Sequence, residues 1–168
     1  MKDLPVRKGI RLKEYDYSWA GCYFITICVK EKHEMLGKVV GDGVLDVPHV
    51  QLSEYGNTIE KHIAAINAHY NQIAIQKHIV MPNHVHMLIS VKDGDGCGCG
   101  TSRTPSPTNA VIPALVSTLK CFVSKDCGFS FWQRAYHDRV IRGHAEYQRV
   151  WQYIDENPLR WAEDEYHP

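Results

Sequence analysis

The chain has 168 residues, with 19 lysines and arginines against 19 aspartates and glutamates and a hydrophobic content of 44%. This length and composition fit one globular domain, residues 1–168, that can bury its own core. The chain lacks an apolar run of the roughly 18 residues that a membrane-spanning helix requires, and residues 1–19 lack the apolar region of a secretion signal. We therefore expect a cytoplasmic protein with no membrane-bound part.

The charges are unevenly distributed even though the formal net charge is zero. Residues 134–149 contain four arginines, and residues 155–165 contain five carboxylates. A basic arm covers residues 1–13, and its main cations are Arg7, Lys8, Arg11 and Lys13. A local basic surface for phosphate groups is therefore compatible with the zero total. On charge alone, solvated faces without a binding role are the simpler interpretation.

The first half of the chain predicts a strand, a hairpin and a helix. Residues 21–29 are β-branched and aromatic on both faces, which is typical of a central strand. Residues 35–47 contain two short apolar runs around Gly41-Asp42-Gly43, a turn sequence typical of a hairpin. Residues 53–70 predict a helix with Ser53 as its N-cap. Its apolar residues recur at helical spacing: Tyr55, Ile59, Ile63, Ile66 and Tyr70.

The second half predicts two strands, a loop, a helix, a further strand and a last helix. The strands at residues 72–81 and 84–91 are joined by the turn residues Pro82 and Asn83. Residues 92–109 are rich in Gly, Ser, Thr and Pro and predict a flexible surface loop. The series ends with a helix that contains residues 112–122, a strand at 130–141 and a helix at 144–157.

Without the hairpin and the last helix, this order is β-α-β-β-α-β, the plan of ferredoxin-like and RRM-like α+β folds. The plan predicts an antiparallel sheet with two helices packed on one face. The hairpin is then an insertion after the first strand, and the last helix is a C-terminal addition. The strand at residues 84–91 is expected to be central in the sheet.

Two histidines interrupt the apolar strand at residues 84–91. Side chains alternate between the two faces of a strand, so His84 and His86 point to the same side. Their Cα atoms are then roughly 6.5–7 Å apart, close enough for both imidazoles to bind one ion. The alternative is a pair of packed imidazoles, and on the strand alone neither interpretation is favoured, because a buried histidine is either hydrogen-bonded or a ligand.

The last helix has an apolar stripe and a polar flank. The stripe consists of Tyr147, Val150, Trp151 and Ile154, so we interpret Tyr147 as a core residue. Tyr153 lies off the stripe, with Asn157 one turn further along the same flank. Taken alone, Tyr153 is typical of an ordinary surface position on an amphipathic helix.

The two histidines and the flank of the last helix suggest one chemistry when combined. Two imidazoles and an amide oxygen can hold Mg²⁺ or Mn²⁺ with open positions for phosphate oxygens, and imidazole ligands favour Mn²⁺ somewhat. A tyrosine beside such an ion is a candidate nucleophile towards a phosphate that the ion polarises. The product is a phosphotyrosine ester, which conserves the energy of the broken bond.

Several motifs resemble one known family. His84-Val85-His86 resembles the His-hydrophobic-His signature of the HUH single-strand DNA nucleases, and MPNHVH at residues 81–86 resembles the single-tyrosine insertion-sequence transposases. The other matches are similar to the REP-associated tyrosine transposases and cover most of the chain. They are YDYSWAGCYFITICVKEK, STLKCFVSK with Lys120, FWQRAYHDRVIR and YQRVWQYIDENPLRW.

This resemblance implies a ferredoxin-like or RRM-like fold and metal-dependent cutting and joining of single-stranded DNA that contains hairpins. It implies His84 and His86 as metal ligands and Tyr153 as the nucleophile. Asn157 stands where the insertion-sequence enzymes usually have glutamine, and is carried over as the third ligand. The insertion-sequence enzymes are dimers and the REP-associated relatives resemble monomers, so either state, with Tyr153 acting in cis or in trans, is open.

The expected partner is single-stranded DNA with a hairpin like that of a repetitive palindromic element. The candidate DNA-binding residues are Arg7, Lys8, Arg11, Lys13, Lys120, Gln133 and Arg134. Basic side chains bind phosphates, and aromatic or planar side chains hold bases. Trp132 is better interpreted as a core residue, and a solvated position is an equal alternative for Lys120.

Two alternatives come from other classes of protein. A nucleic-acid-binding module with this fold and no catalysis needs only the sheet and the basic arm. A zinc protein built on Cys97, Cys99, Cys121 and Cys127 is poorly supported, because the spacing is not the paired CxxC pattern.

Overall fold

The computed structural model of the chain describes residues 20–41, 46–92 and 111–168. Within these ranges the chain forms six strands and three α-helices. In order they are β1 (Gly21–Cys28), β2 (Gly37–Val40), β3 (His49–Leu52), α1 (Glu54–His69), β4 (Ile73–Val80), β5 (His84–Val91), α2 (Val111–Cys127), β6 (His137–Ile141) and α3 (His144–Glu156). The basic arm and residues 93–109 of the predicted loop lie outside the described residues.

Four strands form an antiparallel sheet in the order β4-β5-β1-β6. Crossovers through α1 and α2 make this the β-α-β-β-α-β arrangement, so the predicted fold class is confirmed. The two central strands are β1 and β5, as expected for the strand with the histidines. Their register places Thr26 opposite His86 and Cys28 opposite His84.

Strand alternation gives the sheet two apolar faces. Tyr23, Ile25 and Ile27 of β1 belong to the large core formed with α1 and α2. Leu88 of β5 belongs to a smaller core on the other side, formed with α3. Helices therefore cover both faces of β5, which explains why this strand is buried at all but one position. The histidines share the face of Leu88, so they lie on the α3 side.

The third helix packs along the stripe that its sequence predicts. Val150 and Ile154 are buried, with Tyr147 and Trp151 partly buried beside them. The ammonium of Lys77 on β4 lies 4.6 Å from the centre of the Trp151 ring, a cation–π contact that attaches α3 to the edge strand. None of the helices in the described ranges is long and apolar enough to cross a membrane.

The second strand of the hairpin was predicted wrongly. Val40 pairs with His49 and Gly37 with Leu52, so β3 follows Pro48 instead of lying within residues 44–47. The alternation in β3 accounts for the difference, because it lets Leu52 pack on the large core. β2 and β3 form their own two-stranded sheet.

The strand predicted at residues 130–141 is shorter in the structure. Only His137–Ile141 forms β6, preceded by a single bridge between Val29 and Trp132. The backbone carbonyls of residues 133–135 accept hydrogen bonds from the ammonium of Lys120 instead of from a neighbouring strand. Trp132 is buried in the large core, which confirms its prediction from the sequence as a core residue.

The turn before β5 is held by hydrogen bonds from neighbouring segments. The carbonyl of Asn83 accepts from the backbone N–H of Val29 at 2.8 Å, and that of Pro82 accepts from Leu36 at 2.9 Å. The segment with Leu36 is in turn bound to the start of α1, because the hydroxyl of Ser53 donates to Met35 at 2.7 Å and accepts from a backbone N–H of the helix. The N-cap is as predicted, and it connects α1 to the position of the histidines.

Substitution of Gly56 by alanine tests this packing. A Cβ atom at Gly56 would lie 2.2 Å from the carbonyl oxygen of Leu36, so we expect Gly56→Ala to reduce the free energy of unfolding by about 1–3 kcal/mol. Urea denaturation measures this change.

The matched control is Gly143→Ala, where the new Cβ meets no atom within 4 Å and φ is extended. Helix propensity alone predicts that Gly56→Ala stabilises the protein by about 1 kcal/mol. A gain in stability would therefore contradict the close contact.

Candidate active site

Two imidazoles lie against each other at the start of β5. His84 and His86 are 0% and 1% exposed, and their Nε2 atoms are 3.0 Å apart. Burial lowers the pKa of both rings, that of His84 to about 4, because desolvation disfavours the imidazolium form. Both rings are therefore neutral near pH 7, which is the form that binds metal ions.

Hydrogen bonds fix the tautomer of His84. Its Nδ1 lies 2.9 Å from the Oδ1 of Asn83. The Nδ2 of the same amide donates to the carbonyls of Lys32 and Tyr166, so the amide oxygen must face the ring. The Nδ1 of His84 is then the donor, and its Nε2 carries a lone pair directed at His86.

The other ring is held from the neighbouring strand. Thr26, which lies opposite His86 in the sheet, has its Oγ1 2.8 Å from Nδ1 of that ring. When Nδ1–H donates to the hydroxyl, the two Nε2 lone pairs face each other, an arrangement that a shared cation stabilises. When the hydroxyl donates instead, Nε2–H of His86 donates to His84. The same contact thus holds the ring in both forms.

The C-terminal segment, residues 161–168, covers this pair. It begins with a short 3-10 turn, Trp161–Glu163. The ammonium of Lys32 donates to the carbonyl of Glu165 at 2.8 Å, and Asn83 donates to that of Tyr166 at 2.7 Å. The Tyr166 ring lies 4.6 Å from that of His84. The segment is therefore docked through its backbone.

Docking of the segment brings a carboxylate to the imidazoles. Potential ligand atoms of His84, His86 and Asp164 all lie within 4.8 Å of one another, and they form the one such group within the described ranges. Asp164 is fixed by the backbone N–H of Tyr166, which donates to its Oδ1 at 2.7 Å. Two neutral imidazoles and a carboxylate are a donor set that divalent transition ions accept, so the group is consistent with a divalent metal.

Tyr153 lies at the edge of the same cluster. Its hydroxyl oxygen is 3.4 Å from Nε2 of His86 and 3.4 Å from Oδ2 of Asp164. The Phe24 ring meets the tyrosine ring edge-on at 5.9 Å, and Tyr153 remains 37% exposed. Burial, followed by the negative charge of Asp164, raises the pKa of Tyr153 to about 12.

Asn157 is buried one turn beyond Tyr153, at the C-cap of α3. Its Nδ2 donates to Oδ2 of Asp164 at 3.1 Å. Its Oδ1 is buried and has no hydrogen-bond partner among the described residues. A buried amide oxygen without a partner is costly unless something else satisfies it, so the environment of Asn157 fits a ligand position. The role itself stays a prediction.

A cleft of about 870 Å³ opens beside Tyr153. One wall is the polar flank of α3, and the other comes from β1 and β6. The C-terminal segment closes the end near the histidines through Glu163, Asp164, Glu165 and Tyr166. The exposed edge of Tyr153 therefore faces a space large enough for part of an extended strand.

The predicted DNA-binding residues are not brought together with this cluster. Arg7, Lys8, Arg11 and Lys13 lie outside the described residues. Lys120 donates to the carbonyl of Gln133 at 2.8 Å, and burial lowers its pKa to about 8. Gln133 donates to the carbonyl of Val29, while Arg134 is exposed. Contacts of these residues with DNA stay predictions.

Of the four cysteines in the zinc alternative, two lie within the described residues and two lie outside them. Cys121 and Cys127 lie on α2, and both are unpaired. Cys97 and Cys99 lie outside the described residues.

Sequence reasoning missed three residues whose side-chain oxygens lie near the histidine nitrogens. Thr26 lies in an apolar strand whose alternation gives no hint of its partner. Asn83 was interpreted as a turn residue only. Asp164 stands between two glutamates in an acidic segment, so composition does not distinguish it. Its position depends on how residues 161–168 fold back, which no local pattern encodes.

The combination of this sheet with an added helix defines the class of the fold. A solved structure of a REP-associated tyrosine transposase bound to a REP hairpin matches it with a TM-score of 0.61 and 16% sequence identity. The match covers 87% of this chain and 71% of the other. The protein thus has the ferredoxin-like fold of that transposase.

A sequence relative defines the family more closely. An uncharacterised protein of Haemophilus influenzae is 31% identical over 171 residues, which cover 95% of this chain and 92% of the relative. The chain belongs to the same family as this protein. No protein-family model matches the chain.

Substitution of Thr26 tests the hydrogen bond to His86. Thr26→Val keeps the shape of the side chain but removes the hydroxyl, and loss of such a supporting bond weakens metal binding by roughly 10- to 100-fold. We expect that loss for Mn²⁺, measured as free ion by electron paramagnetic resonance during titration of the protein.

Thr26→Ser restores the hydroxyl and is expected to restore the affinity. Equal affinity of the valine and serine variants would show that the hydroxyl does not position His86.

Proposed function

We propose that this protein is a transposase that cuts and rejoins single-stranded DNA beside a hairpin, with Tyr153 as its nucleophile. The observation that carries the proposal is the position of the Tyr153 hydroxyl, 3.4 Å from both His86 Nε2 and Asp164 Oδ2. A nucleophile beside a potential metal cluster, in an open cleft, is the arrangement that phosphoryl transfer requires. The transposase with the same fold was solved bound to a REP hairpin, which supports hairpin DNA as the substrate class.

Four side chains are suited to hold the metal ion: His84, His86, Asn157 and Asp164. The facing Nε2 atoms and the unpartnered Oδ1 of Asn157 support this set. Mixed nitrogen and oxygen donors suit Mn²⁺ and, less well, Mg²⁺. When bound, the ion supplies positive charge that polarises the scissile phosphate and offsets the charge of the leaving oxygen.

The tyrosine must lose its proton during the attack. With its pKa raised to about 12, Tyr153 is a phenol near pH 7. Because Asp164 is assigned to the ion, the proton passes to water in the cleft, which the exposed edge of Tyr153 faces. The tyrosine oxygen then forms a bond to phosphorus, the bond from phosphorus to one sugar oxygen breaks, and that oxygen takes a proton from water. The products are a phosphotyrosine ester and a DNA end with a free hydroxyl.

The same geometry supports rejoining. The phosphotyrosine ester retains a phosphate ester bond, so a hydroxyl end of another strand can attack it in the reverse reaction without ATP. Tyr153 is then the leaving group and takes back a proton. Because Tyr153 and the histidines of one chain are already adjacent, we propose that a single chain acts in cis.

Replacement of Tyr153 tests the nucleophile. With Mn²⁺ and a library of labelled DNA hairpins with randomised single-stranded flanks, the protein is expected to form a covalent adduct that survives denaturation. Tyr153→Phe removes the attacking oxygen, so we expect loss of both adduct and cleavage. Denaturing gels detect each product.

Tyr147→Phe serves as the matched control, because Tyr147 is also on α3 but packs against the smaller core. An adduct formed by Tyr153→Phe would refute the assignment. DNA binding that persists with EDTA, together with no cleavage under any divalent ion, would favour the non-catalytic binding module.

Substitutions of Asp164 and Asn157 test the ligand set. Loss of one ligand is expected to weaken Mn²⁺ binding by at least about tenfold, so Asp164→Ala and Asn157→Ala each reduce the affinity in a titration. Glu163→Ala is the control, since Glu163 is exposed beside Asp164 and outside the ligand group.

Unchanged affinity in Asn157→Ala with a loss in Asp164→Ala would contradict Asn157 as a ligand. The hydrogen bond from its amide to Asp164 would then also be shown to make no contribution to metal binding.

A further inference from the structure

The polar flank of α3 carries one more residue towards the cleft. Arg149 precedes Tyr153 by four residues, as Tyr153 precedes Asn157, so the three share one side of the helix at steps of roughly 6 Å. Arg149 and Tyr153 both line the cleft. The Nε of Arg149 donates to the carbonyl of Ala145 at 3.3 Å, which directs the side chain along the helix and away from the histidines.

Three arginines of the described ranges line the cleft, and two of them are neutralised. Arg139 forms an ion pair with Glu146 at 2.7 Å, and Arg160 forms one with Glu156 at 2.8 Å. Arg149 has no carboxylate within ion-pair distance in the described part of the chain.

Glu146, the acidic residue nearest along the chain, does not neutralise Arg149. It already accepts from the backbone N–H of Arg142 at 2.9 Å and pairs with Arg139. These contacts, with the charge of Arg149 as a smaller contribution, lower the pKa of Glu146, so Glu146 stays ionised. The remaining N–H groups of the Arg149 guanidinium are left without a protein acceptor among the described residues.

Charge therefore varies along the cleft. The end near the histidines carries Asp164 and Glu165, where a cation is required before a phosphate can approach. The other end carries the unpaired guanidinium of Arg149. A guanidinium binds phosphate oxygens in a two-pronged manner and keeps its charge at all relevant pH values.

We propose that Arg149 forms a phosphate-binding subsite, which holds a phosphodiester of the single strand next to the one that Tyr153 attacks. This inference rests on the proposed function, because it presumes a DNA strand in the cleft. Arg149 fixes the direction of the strand along α3 and so aligns the scissile phosphate with the Tyr153 hydroxyl. It touches the substrate away from the reacting atoms and is a positioning residue.

The experiment uses a DNA hairpin recovered as adduct from the randomised library. Its affinity is measured against salt concentration in the Tyr153→Phe protein, so that the strand stays intact. We expect Arg149→Ala to weaken binding roughly tenfold and to lower the slope of log affinity against log salt by about 0.7, the loss of one phosphate contact on a single strand. Arg149→Lys keeps the charge and is expected to keep most of that slope.

The contacted phosphate is identified with neutral methylphosphonates introduced one at a time. One substitution beside the scissile position is expected to weaken binding with Arg149 present and to have no further effect in Arg149→Ala. Arg142→Ala is the control, since Arg142 is exposed and outside the cleft lining. Its salt slope is expected to remain unchanged.

The outcomes separate the two proposals. If no hairpin of the library forms an adduct, the proposed function fails and the subsite fails with it. If adducts form but Arg149→Ala retains the salt slope, or if each methylphosphonate costs the same with and without Arg149, the subsite alone is refuted.

Discussion

The contact between two buried imidazole nitrogens, His84 Nε2 and His86 Nε2 at 3.0 Å, is the constraint on which the rest of the site depends. It exists because a strand directs alternate side chains to one face and because helices on both sides bury that strand. Asn83 and Thr26 hold the outer nitrogens, while the inner nitrogens face each other and that of His86 lies next to the hydroxyl of Tyr153.

The fold was largely predictable because its signals are local and repeated. Strand β5 begins at His84, where the Pro82-Asn83 turn predicts it, and α1 begins after its serine cap. One error, the length of the strand predicted at residues 130–141, occurred where a side chain from elsewhere satisfies the backbone. Lys120 binds the carbonyls of residues 133–135 and so shortens β6. This contact between a side chain of α2 and a later segment produces no periodic pattern in the sequence.

The candidate site was predictable in part. Periodicity places the histidines on one face and Tyr153 with Asn157 on one flank, because strands and helices have fixed repeats. It does not predict that these two surfaces meet, which follows from the packing of α3 on the sheet. Asp164 lies outside the helices and strands, so their periodicity does not predict its position. Its place depends on backbone carbonyls that bind Lys32 and Asn83, contacts that residue identity does not reveal.

The amide of Asn83 contacts both the histidine pair and the C-terminal segment. Its oxygen orients His84, and its nitrogen donates to the carbonyl of Tyr166 in the C-terminal segment. If the cluster binds an ion as proposed, ion binding and docking of that segment would be linked equilibria, since both depend on the orientation of this one amide. By thermodynamic linkage, the factor by which docking of the segment would raise the affinity for the ion equals the factor by which the ion would favour docking. Under the proposed metal site, the last eight residues would act as an intramolecular ligand whose docking is strengthened by the ion.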